Sequence, residues 1–335
     1  MPIAKSVRRL EPYVPGEQPK SASVVKLNTN ENPYPPSPAC AAALASFDIG
    51  KLRKYPDPVF LELRKAIARR NKCSVEQVFV GNGSDEILAL AAKAFVENDG
   101  YIASLDPSYS LYKTIAAIRD VRWEGPDKAK KSALMLWTNP NAPTGTFAEP
   151  AEIEKFARNY KGVLIVDEAY ADFARANSMR LALSPGNTNT IVMRTFSKSY
   201  SLAGLRVGYA VGPASLIEAL YKVKDSYNVD AIAQAVALAA YNDQKWMRAN
   251  AAKIRRTRKA FAASLVKRGW DVMPSESNFV FARPPRGNAA EIFAALKKRG
   301  IYVRYFPAPA TKDRLRITIG TDEQMKKLLE ALDAL

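Results

Sequence analysis

Asn189-Thr190-Ile191-Val192-Met193-Arg194-Thr195-Phe196-Ser197-Lys198-Ser199-Tyr200-Ser201-Leu202-Ala203-Gly204-Leu205-Arg206-Val207-Gly208-Tyr209 opens as an apolar run rich in β-branched residues and then breaks into Ser, Lys, Ser and Gly. The first part reads as a buried strand and the second as the turn that ends it. A lysine is thereby delivered at a strand end. Low-dielectric surroundings there depress an ammonium pKa and free the neutral amine to attack carbonyls. Eight residues on, Arg206 supplies a permanent positive charge with fork geometry suited to phosphate. Taken alone, Ser-Lys-Ser is equally a polar turn with its lysine in solvent, the usual place for lysine.

A second apolar run, Gly162-Val163-Leu164-Ile165-Val166, ends in Asp167-Glu168-Ala169-Tyr170, with Asp167 lying 31 residues before Lys198. In a parallel sheet, ligands sit beyond the carboxyl ends of the strands, so Asp167, Tyr170 and Lys198 are expected to converge there. A lysine that condenses with an aldehyde, together with an acid that pairs with a ring nitrogen, is the pattern expected for pyridoxal phosphate. On these residues the sequence resembles the fold type I, pyridoxal-phosphate-dependent aminotransferases.

Composition bounds the alternatives. At 335 residues, 47% hydrophobic and 25% charged, the chain has the composition of an ordinary globular protein with a large core. No apolar run reaches membrane-spanning length, and Met1 to Arg9 lack the apolar core of a signal peptide, so a cytoplasmic enzyme is expected. Cys40 and Cys73 form no Cys-x-x-Cys pair, which argues against a disulfide framework or a cysteine zinc site. Histidine is absent altogether, which excludes Ser-His-Asp triads, Cys-His nucleophiles and histidine metal sites. No metal is therefore expected. The net charge of +17 is dispersed, with no run of five Lys/Arg, so a nucleic-acid surface is not expected; steering of doubly anionic small molecules is.

Taken in order, residues 1 to about 35 carry Pro12, Pro15, Pro19, Pro33 and Pro35, with Pro36 just beyond, and read as an extended arm. Asp57 reads as a cap for a helix from Val59 to Arg70 with Pro58 at its first position. The run Gln77 to Gly81 reads as a strand, followed by the turn Asn82-Gly83-Ser84-Asp85-Glu86 and a helix from Ile87 to Val96. With Ser84 as a capping hydroxyl, that helix start is a phosphate cradle rather than a plain turn. Tyr109 follows a turn after the strand Tyr101–Leu105, where its face suits stacking on a planar ring or simply filling the core. Ala133 to Thr138 is a fourth strand, ending in Asn139-Pro140-Asn141-Ala142-Pro143-Thr144-Gly145. Strands and helices alternate through 76–212, as in a mainly parallel sheet covered on both faces. Residues 214–268 read as continuously helical, and the rest as short strands with the helices Ala289–Arg299 and, after the capping box Thr321/Gln324, a terminal one.

The resemblance spans nearly the whole chain and implies an α/β fold: a three-layer, mainly parallel large domain at 36–245, a smaller α+β domain at 246–335, and the arm at 1–35. It implies that Lys198 tethers the cofactor and later moves the substrate proton, that Asp167 pairs with the pyridine nitrogen, and that Tyr170 bonds the phenolic oxygen. Tyr109 would stack on the ring, while Ser84, Asp85, Ser197, Arg206 and, across a homodimer, Tyr55 would hold the phosphate. Ala142 departs from the family pattern, and Asn141 is expected to take over its contact to the phenolic oxygen. Asn30, Arg304 and Arg316 would bind substrate. The implied reaction moves an amino group from L-histidinol phosphate to 2-oxoglutarate, a small-molecule donor and acceptor, without nucleic acid or membrane. The alternatives are an aromatic aminotransferase, a threonine-phosphate decarboxylase, or a non-catalytic basic binder, for which the chain leaves no room for a helix-turn-helix domain.

Overall fold

The computed structural model describes residues 2, 3, 5–8, 10, 16–21 and 23–335 of the chain. A short helix, Lys5–Arg8, and strand β1 (Val25–Lys26) lead into the body. The expected extended arm is therefore interrupted by a helical turn, and Pro12 and Pro15, on which that expectation rested, lie outside the described residues.

Seven strands make the central sheet: β2 (Val78–Gly81), β3 (Tyr101–Ser104), β4 (Arg122–Glu124), β5 (Leu134–Thr138), β6 (Val163–Asp167), β7 (Thr190–Thr195) and β8 (Gly208–Val211). Their order is β2-β8-β7-β6-β5-β3-β4, parallel except for β8, which runs against both its neighbours. The apolar runs that read as buried strands sort their side chains by alternation into two cores. Leu134, Leu136, Ile165, Ile191 and Met193 pack with the helices Gly83–Phe95, Leu111–Arg119 and Ala214–Val223. Met135, Leu164, Val166 and Val192 face the opposite core, to which Ile153, Ala237 and Ile254 belong. The sheet is thus covered on both faces. Strand β4, too short and too polar to show a pattern, was not foreseen.

A second sheet follows: β9 (Asp271–Val272), β10 (Phe279–Arg283), β11 (Ile301–Tyr302), β12 (Arg304–Tyr305) and β13 (Leu315–Thr318), of which β12-β13-β10-β9 form an antiparallel layer. Strand β11 leaves that layer and pairs in parallel with β1. The leading segment is thereby stitched to the last third of the chain.

Local readings failed where caps decide. Residues 214–268 form three helices, Ala214–Val223, Ala231–Asn242 and Gln244–Lys267. Asp230 and Asp243 cap the second and third by accepting from the backbone N–H of Ala233 and Trp246. The residue 245 boundary falls in the first turn of the third helix. The helix expected from Val59 begins at Leu61, because Phe60 turns left-handed at φ 53° while Asp57 accepts from the N–H groups of Val59 and Leu61. The helix expected from Ile87 begins at Gly83, so Ser84 lies inside its first turn and does not cap it.

Close approach of β8 to that helix start requires glycine at 208, where a Cβ would sit 2.7 Å from Ser84 N and 2.8 Å from Gly83 C. Gly208→Ala is expected to lower folding stability by about 1–3 kcal/mol, read as a reduced urea midpoint at unchanged slope.

Candidate active site

Register brings the site residues to one edge. Thr138 lies opposite Asp167, Asp167 opposite Met193, Thr195 opposite Gly208, and Gly208 opposite Gly81. The loops that leave these strand ends enclose a cavity of about 390 Å³. Every residue named above for catalysis, cofactor or substrate lines it except Asn141 and Tyr55.

Asp167, the last residue of β6, is buried at 4% exposure on the face that packs against the helix Leu111–Arg119. From that helix Tyr112 donates to Asp167 Oδ2 at 2.7 Å, and the N–H of Ala169 donates to Oδ1 at 3.1 Å. Burial raises the carboxyl pKa to about 6 against these two stabilising bonds. The Tyr112 hydroxyl, 2.5 Å from Thr138 Oγ1, is pushed well above its ordinary range by its own burial and by the Asp167 charge, so it stays a donor. Sequence reasoning passed over Tyr112 in favour of Tyr109. The signal was there: a tyrosine on the inward face of a helix needs a partner for its hydroxyl.

Lys198 leaves the end of β7 and donates from Nζ to the carbonyl of Thr29 at 3.2 Å. Its pKa falls to about 8, chiefly through burial and then through Arg316, with Glu31 and Asp85 opposing. An amine half neutral near pH 8 is a competent nucleophile and base. Tyr170 stands beside it, 5.9 Å from Nζ to the ring centroid, and its hydroxyl accepts from Asn30 Nδ2 at 2.9 Å. Asn30 is itself held at φ 56°, its N–H donating to Thr318 Oγ1, its Oδ1 accepting from the same hydroxyl, and its carbonyl accepting from Asn278. Its amide is thus committed to Tyr170 and Thr318, and it orients the phenol from below.

Arg206 donates to Ser197 Oγ and Asp85 Oδ2, both at 3.3 Å, and Tyr109 donates to Asp85 Oδ1 at 3.3 Å. Arg206 adopts φ 57°, a strained conformation for a side-chain-bearing residue. A Cβ on Gly83 would lie 2.6 Å from Arg206 Nη2, so glycine lets the guanidinium rest against the first turn of the helix Gly83–Phe95. Serine hydroxyls, a guanidinium and the free N–H groups of a helix start fit a phosphate. Arg304 and Arg316 line the cavity as well, and Arg316 Nη2 donates to the carbonyl of Asn28 at 2.9 Å. Taken together, the donor set fits an aldehyde cofactor with a phosphate at one end and a ring nitrogen needing a carboxylate.

Two expectations need correction or relocation. Asn141 does not face the cavity: its Nδ2 donates to Pro107 O and Thr144 Oγ1, and its Oδ1 accepts from Ser108. Its hydrogen bonds are spent tying two loops together, so it does not stand in for the missing asparagine at Ala142. Tyr55 lies outside this cavity at 80% exposure, its ring stacked on Tyr227 at 4.3 Å. No cluster of His, Cys, Asp or Glu suited to a metal occurs among the described residues.

The family described as "Aminotransferase class I and II" matches residues 22–332. Histidinol-phosphate aminotransferase 2 of Rhizobium meliloti (strain 1021) is 46% identical over 343 residues, spanning 98% of this chain and 97% of that one. Histidinol-phosphate aminotransferase 1 of Bradyrhizobium diazoefficiens is 46% identical over 341 residues, with 97% of each chain covered. The crystal structure of histidinol-phosphate aminotransferase from Sinorhizobium meliloti in complex with pyridoxal-5'-phosphate superposes with a TM-score of 0.89 at 24% identity, covering 99% of this chain and 96% of that one.

The raised pKa of Asp167 carries a signed consequence for the cofactor-free protein. Below pH 4 the carboxyl is protonated folded or unfolded; as pH rises to about 6 the unfolded chain ionises first, so stability is lost across that window. Asp167→Asn is expected to match the parent near pH 4 and to exceed it by on the order of 2 kcal/mol at pH 7, measured by urea denaturation at both pH values.

Proposed function

This chain belongs to the class I and II aminotransferases, and on that premise we propose that it transfers the amino group of L-histidinol phosphate to 2-oxoglutarate by a ping-pong cycle with pyridoxal 5'-phosphate. The observation that carries the reading is the convergence of Lys198 and Asp167 on one cavity that Arg206, Arg304 and Arg316 also line. The choice of donor is supported by relatives of that name at 46% identity over nearly the full length.

When bound, the cofactor supplies an electron sink for negative charge developing at the substrate α-carbon. The chain supplies the rest. Lys198 Nζ would hold the cofactor aldehyde and, as a free amine, would carry the proton away from the substrate α-carbon; a pKa near 8 suits both roles. Asp167 pairs with the ring nitrogen and, by binding a cation, relieves the penalty of its own burial. Tyr170, oriented by Asn30, bonds the phenolic oxygen. Tyr109 would lie against the ring, and Ser84, Ser197 and Arg206 would take the phosphate. Arg304 and Arg316 take the substrate anion.

The same reading has the protein act in the cytoplasm as a homodimer, apart from nucleic acid and membranes, with 36–245 as the cofactor-holding domain and 246–335 as the smaller one. Among the described residues no helix is long and apolar enough to cross a membrane. Dimerisation through the segment that carries Tyr55 is supported by the exposed apolar side chains of Leu44, Ile49, Leu52, Val59 and Leu61.

Purified protein is expected to absorb in the near-visible and Lys198→Ala to lose that band. Mixed with L-histidinol phosphate, the parent should bleach and recover on adding 2-oxoglutarate. Turnover of phenylalanine or tyrosine alone would replace the donor, and release of carbon dioxide without amino transfer would replace the reaction.

A further inference from the structure

Between Asp167 and the loop that carries Asn141, three hydroxyls stand in line: Tyr112, Thr138 and Ser108. We propose that Ser108 is a positioning residue that acts through Asp167: with Thr138 and Tyr112 it forms a chain of hydroxyls one proton short, which holds a proton at the Asp167 carboxyl for the cofactor's ring nitrogen. This deepens the reading just given for Asp167 and rests on it.

Counting protons makes the case. Asn141 Nδ2 donates to the carbonyl of Pro107, which can only accept, so the amide orientation is fixed and Oδ1 faces Ser108. From there the contacts run Asn141 Oδ1 to Ser108 Oγ at 2.8 Å, Ser108 Oγ to Thr138 Oγ1 at 3.1 Å, Thr138 Oγ1 to Tyr112 Oη at 2.5 Å and Tyr112 Oη to Asp167 Oδ2 at 2.7 Å. When the carboxyl is ionised both ends of the chain accept, and each hydroxyl between them owns one proton. Four contacts then share three protons, and one link sets two lone pairs against each other. With Tyr112 donating to Asp167, Thr138 to Tyr112 and Ser108 to Asn141, that link is Ser108 to Thr138, the longest of the four at 3.1 Å. A proton on Asp167 completes the chain: the carboxyl donates to Tyr112, Tyr112 to Thr138, Thr138 to Ser108 and Ser108 to Asn141.

Asp167, Tyr112, Thr138 and Asn141 are all buried, where an unmade hydrogen bond is costly. The carboxylates of Asp85 and Glu168 also resist ionisation of Asp167 and are paired with Arg206 and Arg194, while Lys198 lines the same cavity. A substitution at 108 leaves all of these groups in place. Beside a ring nitrogen, the carboxyl passes its proton on: the O–H bond at Asp167 breaks and an N–H bond forms. Tyr112 and Thr138 then turn their own protons back toward the carboxylate, and their O–H bonds stay intact.

The test titrates the Asp167 carboxyl in the full cofactor-free chain by carbon NMR, its signal assigned by loss in Asp167→Asn, and compares the parent with Ser108→Ala, Ser108→Thr and Tyr112→Phe. The bond from Ser108 to Asn141 is made in both protonation states, so its loss cancels. Ser108→Ala is expected to lower the carboxyl pKa by about one pH unit, because the ionised chain no longer has a link without a proton and the protonated one leaves Thr138 without an acceptor. Ser108→Thr keeps the hydroxyl and stays with the parent. Tyr112→Phe is expected to raise the pKa by about one pH unit, because the ionised carboxyl loses a donor. An unchanged value in Ser108→Ala, or shifts of the same sign in Ser108→Ala and Tyr112→Phe, would overturn the proposal, since loosened packing moves both alike. Calorimetry of pyridoxal 5'-phosphate binding near the carboxyl midpoint of about 6, in buffers of different ionisation enthalpy, should show Ser108→Ala taking up more protons from solution than the parent; equal uptake overturns the transfer to the ring. Ser108→Gly replaces the alanine variant should that one not fold, and the series at 108 decides alone should Tyr112→Phe not fold. If the parent binds no pyridoxal 5'-phosphate, the cofactor reading falls, and the carboxyl titration still decides the role of Ser108.

Discussion

Burying the Asp167 carboxylate is the constraint on which the rest of the structure depends. A charge at 4% exposure is unfavourable by itself, and one tyrosine hydroxyl and one backbone N–H reduce that penalty without removing it. The chain keeps the charge there because β6 is flanked on both sides by parallel strands whose ends are in register with it, so its terminal residue opens directly onto the cavity. A group that is uncomfortable in the folded protein and comfortable beside a cation is what a binding site for a protonated ring requires.

The cavity answers with graded positive charge. Arg206 and Arg316 both line it, and both depress the pKa of Lys198, after the larger effect of burial. The arginines are therefore not separable from the lysine: the same positive charge that would suit an anion also keeps the amine partly neutral. Anions arriving at either end change the field that the lysine feels. The +17 net charge of the chain acts in the same direction at longer range.

Residues 28–30 hold the two sheets to each other at this point. The carbonyl of Asn28 accepts from Arg316, that of Thr29 from Lys198 and that of Asn30 from Asn278. The chain here is irregular, so its carbonyls are available to side chains rather than to a strand partner. Pairing of β1 with β11 fixes where this segment lies.

What the sequence by itself determined is what is local: a buried strand announces itself by a continuous apolar, β-branched run, and the residue that ends it is named by position. Lys198 at the end of β7, Asp167 at the end of β6 and Arg206 before β8 were legible for that reason, as was the two-sided cover of the sheet. Caps were half legible, since Asp230 and Asp243 stood in the sequence but nothing required the helix to stop at them. The tertiary structure alone decided which polar atoms meet. Tyr112 finds Asp167, Asn141 spends its amide on Pro107 and Thr144 instead of facing the cavity, and Phe306 lies under two arginines. Such partnerships join residues up to 55 positions apart, and hydrogen-bond and ring geometry are satisfied by register and crossing rather than by local pattern.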